Sequence, residues 1–267
     1  MITYYQTDDH RFIDAFPPGS LFVQLQSVEG EVHRELAARR TFKFTHENTN
    51  YFAKVHSGVG WLEMIKDWIR FRAPVLGAGN EWHALRRMQD AGLLVPSPVA
   101  LEVDGWDPAR QHSVIVMEAL TNTVTLEDLA KDPITPLDRR RLVIRLASYI
   151  RSMHALGVNH RDLYICHFHL DHGDVNSALY LIDFHRAQCR DQVPYRWLVK
   201  DLGSLLFSSF DAGYTRMDLL CFIRRYSGKP LKDALKMDQL FWRDVLKRAQ
   251  WLGHREGAPL PDWLTGR

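Results

Sequence analysis

Cysteine is scarce in this chain of 267 residues, with only Cys166, Cys189 and Cys221 present. Their spacing matches no zinc motif, and an odd number of cysteines does not make a disulfide framework. We therefore expect free thiols, as is usual for a protein in a reducing cytosol.

Long apolar runs are also missing. No stretch reaches the roughly eighteen apolar residues of a membrane-spanning helix, and the polar, acidic first ten residues do not resemble a secretory signal. A formal net charge of only +2 argues against a dedicated nucleic-acid binder. The sequence thus predicts a globular protein that is peripheral to a membrane at most.

The order of hydrophobic patterns indicates an α+β fold with two lobes. β-like runs dominate up to about residue 118, at 21–25, 40–44, 51–55, 99–103 and 114–118, interrupted by helical patterns at 60–71 and 81–91. Beyond residue 125 the pattern is helical, for example at 138–156, which Gly157 should terminate. We therefore expect a sheet-rich N-lobe at 1–118, a helical C-lobe at 119–267, and a ligand site between them.

Two short motifs resemble the catalytic and metal-binding loops of the protein-kinase fold. The first is His160, Arg161 and Asp162, and the second is the β-prone run before Asp183. Phosphoryl transfer from ATP needs one carboxylate to accept the proton of the acceptor hydroxyl and another to hold Mg²⁺ on the phosphates. We assign these roles to Asp162 and Asp183. Taken singly, each could instead belong to an ordinary turn.

His167 stands five positions after Asp162, where kinases usually place a metal-binding asparagine. Imidazole is a poor ligand for Mg²⁺, which prefers oxygen. Three roles remain open for His167: a weak metal ligand, a phosphate contact, or a brace for the loop.

Lys54 and Glu81 are candidates for the ion pair that holds the ATP phosphates. Lys54 shares a strand face with Phe52. Glu81 opens a helix after Asn80 and lies on its apolar face, where a carboxylate needs a cation. Glu63 is a rival partner. The alternatives are a solvated strand lysine and an exposed acid in the first turn of the helix.

Other nucleotide contacts are less specific. Backbone groups of Glu118 and Leu120, at the end of a strand, could bind adenine. Gly30 is the only glycine of a possible phosphate loop, which lacks the G-x-G-x-x-G pattern and could be a simple hairpin turn. Asp201 either anchors the catalytic loop or is merely an acid at the start of a helix.

Basic residues suggest acidic ligands. Arg186, Arg190 and Arg196 follow the metal loop and could hold an anionic acceptor in bidentate fashion, unless they are solvated surface charges. Basic clusters at 139–145 and 224–232 could meet anionic lipid or an acidic protein, or form solvated helix faces. The aromatic and basic helix at 61–70 would suit a membrane interface or packing on the upper lobe.

Several segments resemble the lipopolysaccharide core heptose(I) kinases over essentially the whole chain. They are the stretches at 160–168, 30–36, 74–78 and 183–188. The resemblance implies ATP- and Mg²⁺-dependent phosphorylation of the first heptose of the inner core at its 4-hydroxyl. It also implies work at the cytoplasmic face of a Gram-negative inner membrane, on a lipid A-linked acceptor, with acyl carrier protein as a candidate partner.

The same resemblance makes Asp162 the catalytic acid/base, Asp183 the metal ligand and Lys54 the phosphate-pairing lysine. Departures from general protein kinases are His185 in place of the glycine of the metal loop, and His167 in place of asparagine. The short interval before Asp201 lacks Ala-Pro-Glu and leaves little room for a peptide-binding segment. Two alternatives stay open: a kinase of another sugar or protein hydroxyl, and a kinase fold that binds without turnover.

Overall fold

The computed structural model describes residues 2–36, 39–58, 77–107, 109–210, 212–258 and 261. The helix expected at 60–71, and with it Glu63, lies outside the described residues. The chain forms two compact units. The first takes residues 1–89, 96–120 and 184–186, and the second takes 90–95, 121–183 and 187–267.

The first unit is built on a six-stranded sheet in which all neighbouring strands are antiparallel, in the order β1-β5-β6-β4-β3-β2. The strands are β1 (Ile2–Thr7), β2 (Glu31–Leu36), β3 (Arg39–His46), β4 (Thr49–Ser57), β5 (Pro98–Asp104) and β6 (His112–Glu118). The strands predicted at 40–44, 51–55, 99–103 and 114–118 are thereby confirmed.

The core of this unit is a cluster of buried side chains from the sheet and from two short helices. The helices are α1 (His10–Ala15) and α2 (Leu21–Ser27). The members of the cluster are mainly aromatic or β-branched, which suits a half-buried sheet surface. They include Phe12, Leu21, Leu25, Phe42, Phe44, Tyr51, Val55, Val114 and Val116.

The strand predicted at 21–25 is wrong, because these residues form α2. Leu21 and Leu25 are both fully buried at the i, i+4 spacing of a helix face. The buried Glu102 of β5 accepts hydrogen bonds from the backbone N–H groups of Gly19 (2.8 Å) and Phe22 (3.0 Å). A carboxylate at a helix N-terminus satisfies unpaired donors and favours the helix dipole. This partner is about eighty positions away along the chain, so a local pattern could not reveal it.

The helix predicted at 81–91 is confirmed as α3 (Gly79–Asp90). Its buried face consists of Glu81, Trp82, Ala84, Leu85 and Met88. A carboxylate therefore lies on an otherwise apolar surface, as the pattern indicated.

The second unit is mainly helical, so the α+β class with a sheet-rich first half is confirmed. Its helices are α4 (Leu126–Leu129), α5 (Pro136–Ala155), α6 (Tyr195–Ser208), α7 (Arg216–Ser227), α8 (Leu231–Met237) and α9 (Gln239–Glu256). None of the helices described is long and apolar enough to cross a bilayer.

The long helix α5 is capped at its start by Thr135 and is followed at its end by Gly157. Thr135 accepts a hydrogen bond from the Asp138 N–H (3.1 Å), and Pro136 occupies the first turn, where its missing N–H costs nothing. Gly157 follows the helix at φ +76°, and a Cβ there would clash with the backbone of Arg190. The expected termination at this glycine is confirmed.

Helices α5 and α7 pack against each other in parallel. Near their starts, Arg139 pairs with Asp218 (3.3 Å), and near their ends, His154 Nδ1 lies 2.8 Å from the Tyr226 hydroxyl. Capping fixes α7 at both ends: Thr215 and Asp218 form a capping box, and Gly228 ends the helix at φ +67°.

Small sheets hold the segments that carry the motifs. β8 (Val158–Asn159) pairs with β11 (Gln188–Cys189), and β9 (Phe168–Asp171) pairs with both β7 (Thr123–Thr125) and β10 (Leu179–Leu181). β8 ends directly before His160, and the β9–β10 hairpin joins the two motif loops.

Candidate active site

The loop that carries Asp162 is anchored through its backbone by Asp201, a fully buried residue of α6. Its two carboxylate oxygens accept hydrogen bonds from the backbone N–H groups of His160 (2.7 Å) and Arg161 (2.8 Å). Of the two interpretations of Asp201, the anchor is therefore correct. Two charge-assisted bonds to adjacent amides fix both the position and the orientation of the loop.

A second pair of side chains supports Asp201. His154 Nε2 lies 3.4 Å from Asp201 Oδ2, and its Nδ1 lies 2.8 Å from the hydroxyl of Tyr226. Burial raises the pKa of Tyr226 above its ordinary value, so this hydroxyl keeps its proton. Sequence reasoning missed both residues. The available signal was a histidine on the buried face of α5, beside Met153.

Two residues of the motifs have a positive φ angle, which residues other than glycine rarely adopt. Arg161 has φ +71° and Asp183 has φ +64°. The left-handed region costs a non-glycine residue about 1–2 kcal/mol. Such strain persists where the surroundings hold it, and it concentrates at active sites and switches. The Arg161 guanidinium is also placed 4.9 Å from the Trp197 ring centre.

His160 ties the first motif to the second. Its Nε2 donates a hydrogen bond to the carbonyl of Ile182 (2.9 Å), the residue directly before Asp183. Burial, and then the neighbouring His167, lower the pKa of this fully buried imidazole. A neutral His160 is thus the species that links the two loops.

His167 lies between the two candidate acids. Its Nδ1 is 2.9 Å from the backbone carbonyl of Asp162, and its Nε2 is 4.0 Å from Asp183 Oδ2. A carbonyl only accepts, so Nδ1 carries a proton. The Ile182 N–H also donates to the His167 carbonyl (3.0 Å). Of the three roles left open for His167, these contacts establish the brace; metal contact and phosphate contact remain predictions.

The donor set at Asp183 suits a magnesium ion that takes further ligands from a nucleotide. The Asp183 side chain is 30% exposed, so its carboxylate is accessible to a ligand. Within the part of the chain that the structure covers, no three His, Cys, Asp or Glu side chains form a cluster for a metal. Mg²⁺ usually binds one or two carboxylates plus phosphate oxygens and water, and a nitrogen ligand such as His167 suits it less.

In the first unit, Lys54 and Glu81 form a buried ion pair, with Nζ 2.6 Å from Oε1. The strand alternation of β4 turns Lys54 toward α3, and the apolar face of α3 carries Glu81. The expected pairing is confirmed, and the competing Glu63 lies outside the described residues. The other oxygen of Glu81, Oε2, is buried and has no hydrogen-bond partner among the described residues.

His56 follows Lys54 on the same face of β4 and was missed by sequence reasoning. Burial, and then the electrostatic effect of Arg39, Lys54 and His185, lower its pKa to about 3. His56 is therefore neutral near pH 7. A lone histidine two positions after the lysine was the only sequence signal.

The remaining nucleotide candidates also lie in the first unit. The Glu118 N–H donates to the Ser97 carbonyl, and the Ala119 N–H to the Asn50 carbonyl, both at 2.9 Å. Leu120 follows at the end of this segment. Gly30 lies between α2 and β2 and is not in a turn between two strands. A Cβ at Gly30 would clash with the Lys43 carbonyl, so close packing on β3 explains the glycine.

The three acceptor arginines differ in their surroundings. Arg190 donates to Asn159 Oδ1 (2.7 Å) and Gln188 Oε1 (2.6 Å), so two of its nitrogens support the β8–β11 pair. Arg196 is exposed beside the Trp197 ring, and Arg186 ends a short 3₁₀ turn of the first unit. The first unit thus holds Gly30, Lys54, Glu81, Glu118, Leu120 and Arg186, and the second holds Asp162, His167, Asp183, Arg190 and Arg196.

Comparison with known proteins identifies the family. The model of the lipopolysaccharide kinase (Kdo/WaaP) family matches residues 23–226. The chain is 45% identical to the lipopolysaccharide core heptose(I) kinase WaaP of Pseudomonas aeruginosa, over 80% of this chain and 83% of that protein. It is 42% identical to WaaP of Escherichia coli K12, over 82% and 85%.

More distant relatives include the 3-deoxy-D-manno-octulosonic acid kinase of Haemophilus influenzae PittEE, which is 29% identical over 60% of this chain and 64% of that protein. Among solved structures, WaaP in complex with acyl carrier protein superposes with a TM-score of 0.80 at 37% identity, over 93% of this chain and 99% of that one. The protein-kinase-like fold and the resemblance drawn from the motifs are confirmed. This chain belongs to the lipopolysaccharide kinase (Kdo/WaaP) family.

Proposed function

We propose that this protein is an ATP-dependent kinase that phosphorylates the first heptose of the lipopolysaccharide inner core at its 4-hydroxyl. The observation that carries the proposal is the pattern of identity. It is 42–45% with three heptose(I) kinases over about four-fifths of the chain, but 27–29% with the 3-deoxy-D-manno-octulosonic acid kinases over at most 60%.

Asp162 would accept the proton of the heptose hydroxyl as it attacks the terminal phosphate. A catalytic base must be held within hydrogen-bond reach of the proton it accepts. The anchoring by Asp201 and the hydrogen bond between His167 and the Asp162 carbonyl support this role, because both limit movement of the loop.

Asp183 would hold Mg²⁺, with His167 as a second, weaker ligand. When bound, the ion neutralises charge on the nucleotide phosphates. The strained backbone at Asp183 and its link to His160 through Ile182 support a fixed direction for this carboxylate.

The residues of the first unit would hold ATP itself. Lys54 would pair with the α- and β-phosphates while Glu81 fixes the direction of its ammonium group. The positive charge of Arg39, whose electrostatic effect reaches His56, supports an anion beside this pair. We assign adenine to the backbone of Glu118 and Leu120, and a minor phosphate contact to Gly30.

The acceptor side is assigned to Arg186, Arg190 and Arg196. The inner core carries acidic sugars and phosphate, which guanidinium groups bind in bidentate fashion. Exposed Arg196 suits this role best, because Arg190 already donates to Asn159 and Gln188.

We place the protein at the cytoplasmic face of the inner membrane, as a peripheral protein that meets a lipid A-linked acceptor and an anionic lipid surface. Acyl carrier protein is proposed as a partner. The support is the solved relative, a WaaP in complex with acyl carrier protein. No nucleic-acid partner is proposed.

The test is phosphate transfer from ATP with Mg²⁺ to four acceptors: core lipopolysaccharide lacking heptose phosphate, its deacylated core, 3-deoxy-D-manno-octulosonic acid, and a hydroxyl-bearing peptide. Mass spectrometry should place the new phosphate on the first heptose, and the matched variant Asp162→Asn should give at least about a hundredfold less product in the same time. Product on the octulosonic acid or the peptide would assign another acceptor. ATP binding without any product would instead identify a binding module.

A further inference from the structure

A groove of about 700 Å³ runs along the parallel helices α5 and α7 of the second unit. Cationic side chains dominate its lining: Arg140, Arg151, Arg224, Arg225 and Lys229. The groove lies within the second unit and contains none of the candidate active-site residues. Its charge therefore has no explanation in the proposed transfer of phosphate.

The four arginines of the groove are exposed, and none has a carboxylate partner among the residues that the structure describes. Neighbouring cations outside the groove do have such partners: Arg139 pairs with Asp218 and Arg141 with Asp138. Inside the groove Lys229 pairs with Asp238, so the unneutralised charge there is that of the four arginines. Guanidinium groups gathered in this way favour phosphate, which they bind through two parallel hydrogen bonds.

One of these arginines lies against the turn that ends α7. Gly228 has φ +67°, the left-handed conformation that favours glycine at a helix end. The guanidinium of Arg151 is placed beside this glycine, at the wall of the groove.

Two exposed apolar side chains mark one end of the groove. Leu137 is 59% exposed and precedes Arg140 by three residues and Ile144 by seven, so it shares their face of α5. Met217 is 71% exposed and precedes Cys221 by four residues, on the groove face of α7. Because the helices run in parallel, Leu137 and Met217 belong to the same end.

We propose that this groove binds the phosphate headgroups of anionic phospholipids, with Leu137 and Met217 entering the interfacial layer. Cationic side chains next to large apolar ones are the composition of peripheral membrane contacts. The centres of protein–protein interfaces are mostly apolar, whereas half of the residues that line this groove are cationic. The proposal rests on the proposed function in one respect: a lipid-linked acceptor lies at such a surface.

The test is co-sedimentation of the full chain with vesicles of phosphatidylcholine alone and vesicles containing about a third phosphatidylglycerol. Each arginine near an anionic surface contributes about fivefold in affinity. Arg140→Gln/Arg224→Gln should therefore bind the anionic vesicles about 25-fold more weakly. The matched control is Arg243→Gln/Lys247→Gln, which removes two exposed cations of α9 outside the groove and should change binding less than threefold.

Two further arms separate the contributions. Leu137→Ser/Met217→Ser keeps the charge and should still weaken binding several-fold, while millimolar glycerol phosphate should not displace the vesicles. Equal loss in the control and groove variants would overturn the proposal, and so would wild-type binding to phosphatidylcholine alone that matches binding to the anionic vesicles. Loss of binding to an acidic protein such as acyl carrier protein, with vesicle binding intact, would assign the groove to a protein instead.

The outcome is distinguishable from a failure of the proposed kinase function. Transfer to the deacylated core needs no membrane, so the groove variants should retain wild-type turnover on it. A protein that binds anionic vesicles through the groove but phosphorylates no heptose would contradict the proposed function alone.

Discussion

The Nε2 atom of His167 lies 4.0 Å from the Oδ2 atom of Asp183, while the Nδ1 atom of the same ring hydrogen bonds to the Asp162 carbonyl. One imidazole thus spans the interval between the two candidate acids. At the position where kinases usually place a metal-binding asparagine, this chain has a ring that links the two loops. A metal contact by the same ring remains a prediction.

Asp162→Asn should lower kcat by more than about a hundredfold, because a positioned general base contributes 10²–10⁴. The amide is nearly the same size as the carboxylate but cannot take up the acceptor proton. Single-turnover transfer to core lipopolysaccharide measures the loss. ATP affinity and urea unfolding should match wild type, and undiminished turnover in the folded variant would remove Asp162 from the mechanism.

Asp183→Ala should abolish the dependence of ATP affinity on Mg²⁺, because it removes the one carboxylate we assign to the ion. Nucleotide titration with and without magnesium is the measurement. Asp191→Ala is the control, since Asp191 is an exposed acid downstream of the metal loop. Normal magnesium-dependent affinity in Asp183→Ala would contradict the assignment.

Lys54→Met should lower the free energy of unfolding by about 3–5 kcal/mol, because it leaves the buried Glu81 carboxylate without its cation. Urea denaturation measures this loss. The double variant Lys54→Met/Glu81→Met should regain much of the stability, since it buries no uncompensated charge. ATP affinity should stay low in both variants; recovery of affinity in the double variant would argue against a phosphate contact by Lys54.

Asp201→Asn should lower the free energy of unfolding by about 1–3 kcal/mol and also lower kcat. An amide can accept from only one of the His160 and Arg161 N–H groups without a rearrangement, and a buried donor left unpaired costs about this much. Tyr226→Phe, which removes one neutral hydrogen bond from the same network, should cost about 1 kcal/mol. An equal, small effect of both changes would show that Asp201 does not anchor the loop.

His56 should make the protein less stable as the pH falls below about 6.5. Its pKa in the folded state is about 3, so between pH 6.5 and 3 the unfolded chain takes up a proton that the folded chain refuses. The expected slope approaches 1.4 kcal/mol per pH unit. His56→Leu should flatten the pH dependence of urea unfolding by this amount over that window, relative to pH 8; an unchanged slope would mean that His56 ionises in the folded protein.

The motifs and the class of fold could be predicted because each depends on local sequence. The pairing of Lys54 with Glu81 could be predicted from strand and helix periodicity. The periodicity places each charged side chain on a buried face, where it needs a group of opposite charge. Asp162 and Asp183 are recognisable because each belongs to a short motif, His160-Arg161-Asp162 and the β-prone run that ends in Asp183.

What could not be predicted depends on partners that are remote along the chain. Helix α2 forms where a strand was expected, with the Glu102 carboxylate at its N-terminus. The support of Asp201 by His154 and Tyr226 exists only once α5, α6 and α7 are packed together. The pKa of His56 likewise depends on Arg39 and His185, whose proximity no periodicity reveals.

The β9–β10 hairpin determines where the chain can change in length without moving the two acids apart. Phe168 pairs with Leu181, so strand register, rather than the length of the intervening chain, sets the gap between the two acids. Insertions in the turn at 172–178 would leave that gap intact, whereas a slip of one residue would turn every following side chain to the opposite face. The β9–β10 pairing therefore fixes the separation of the two acids, and we expect homologues to differ in length at the turn rather than within the paired strands.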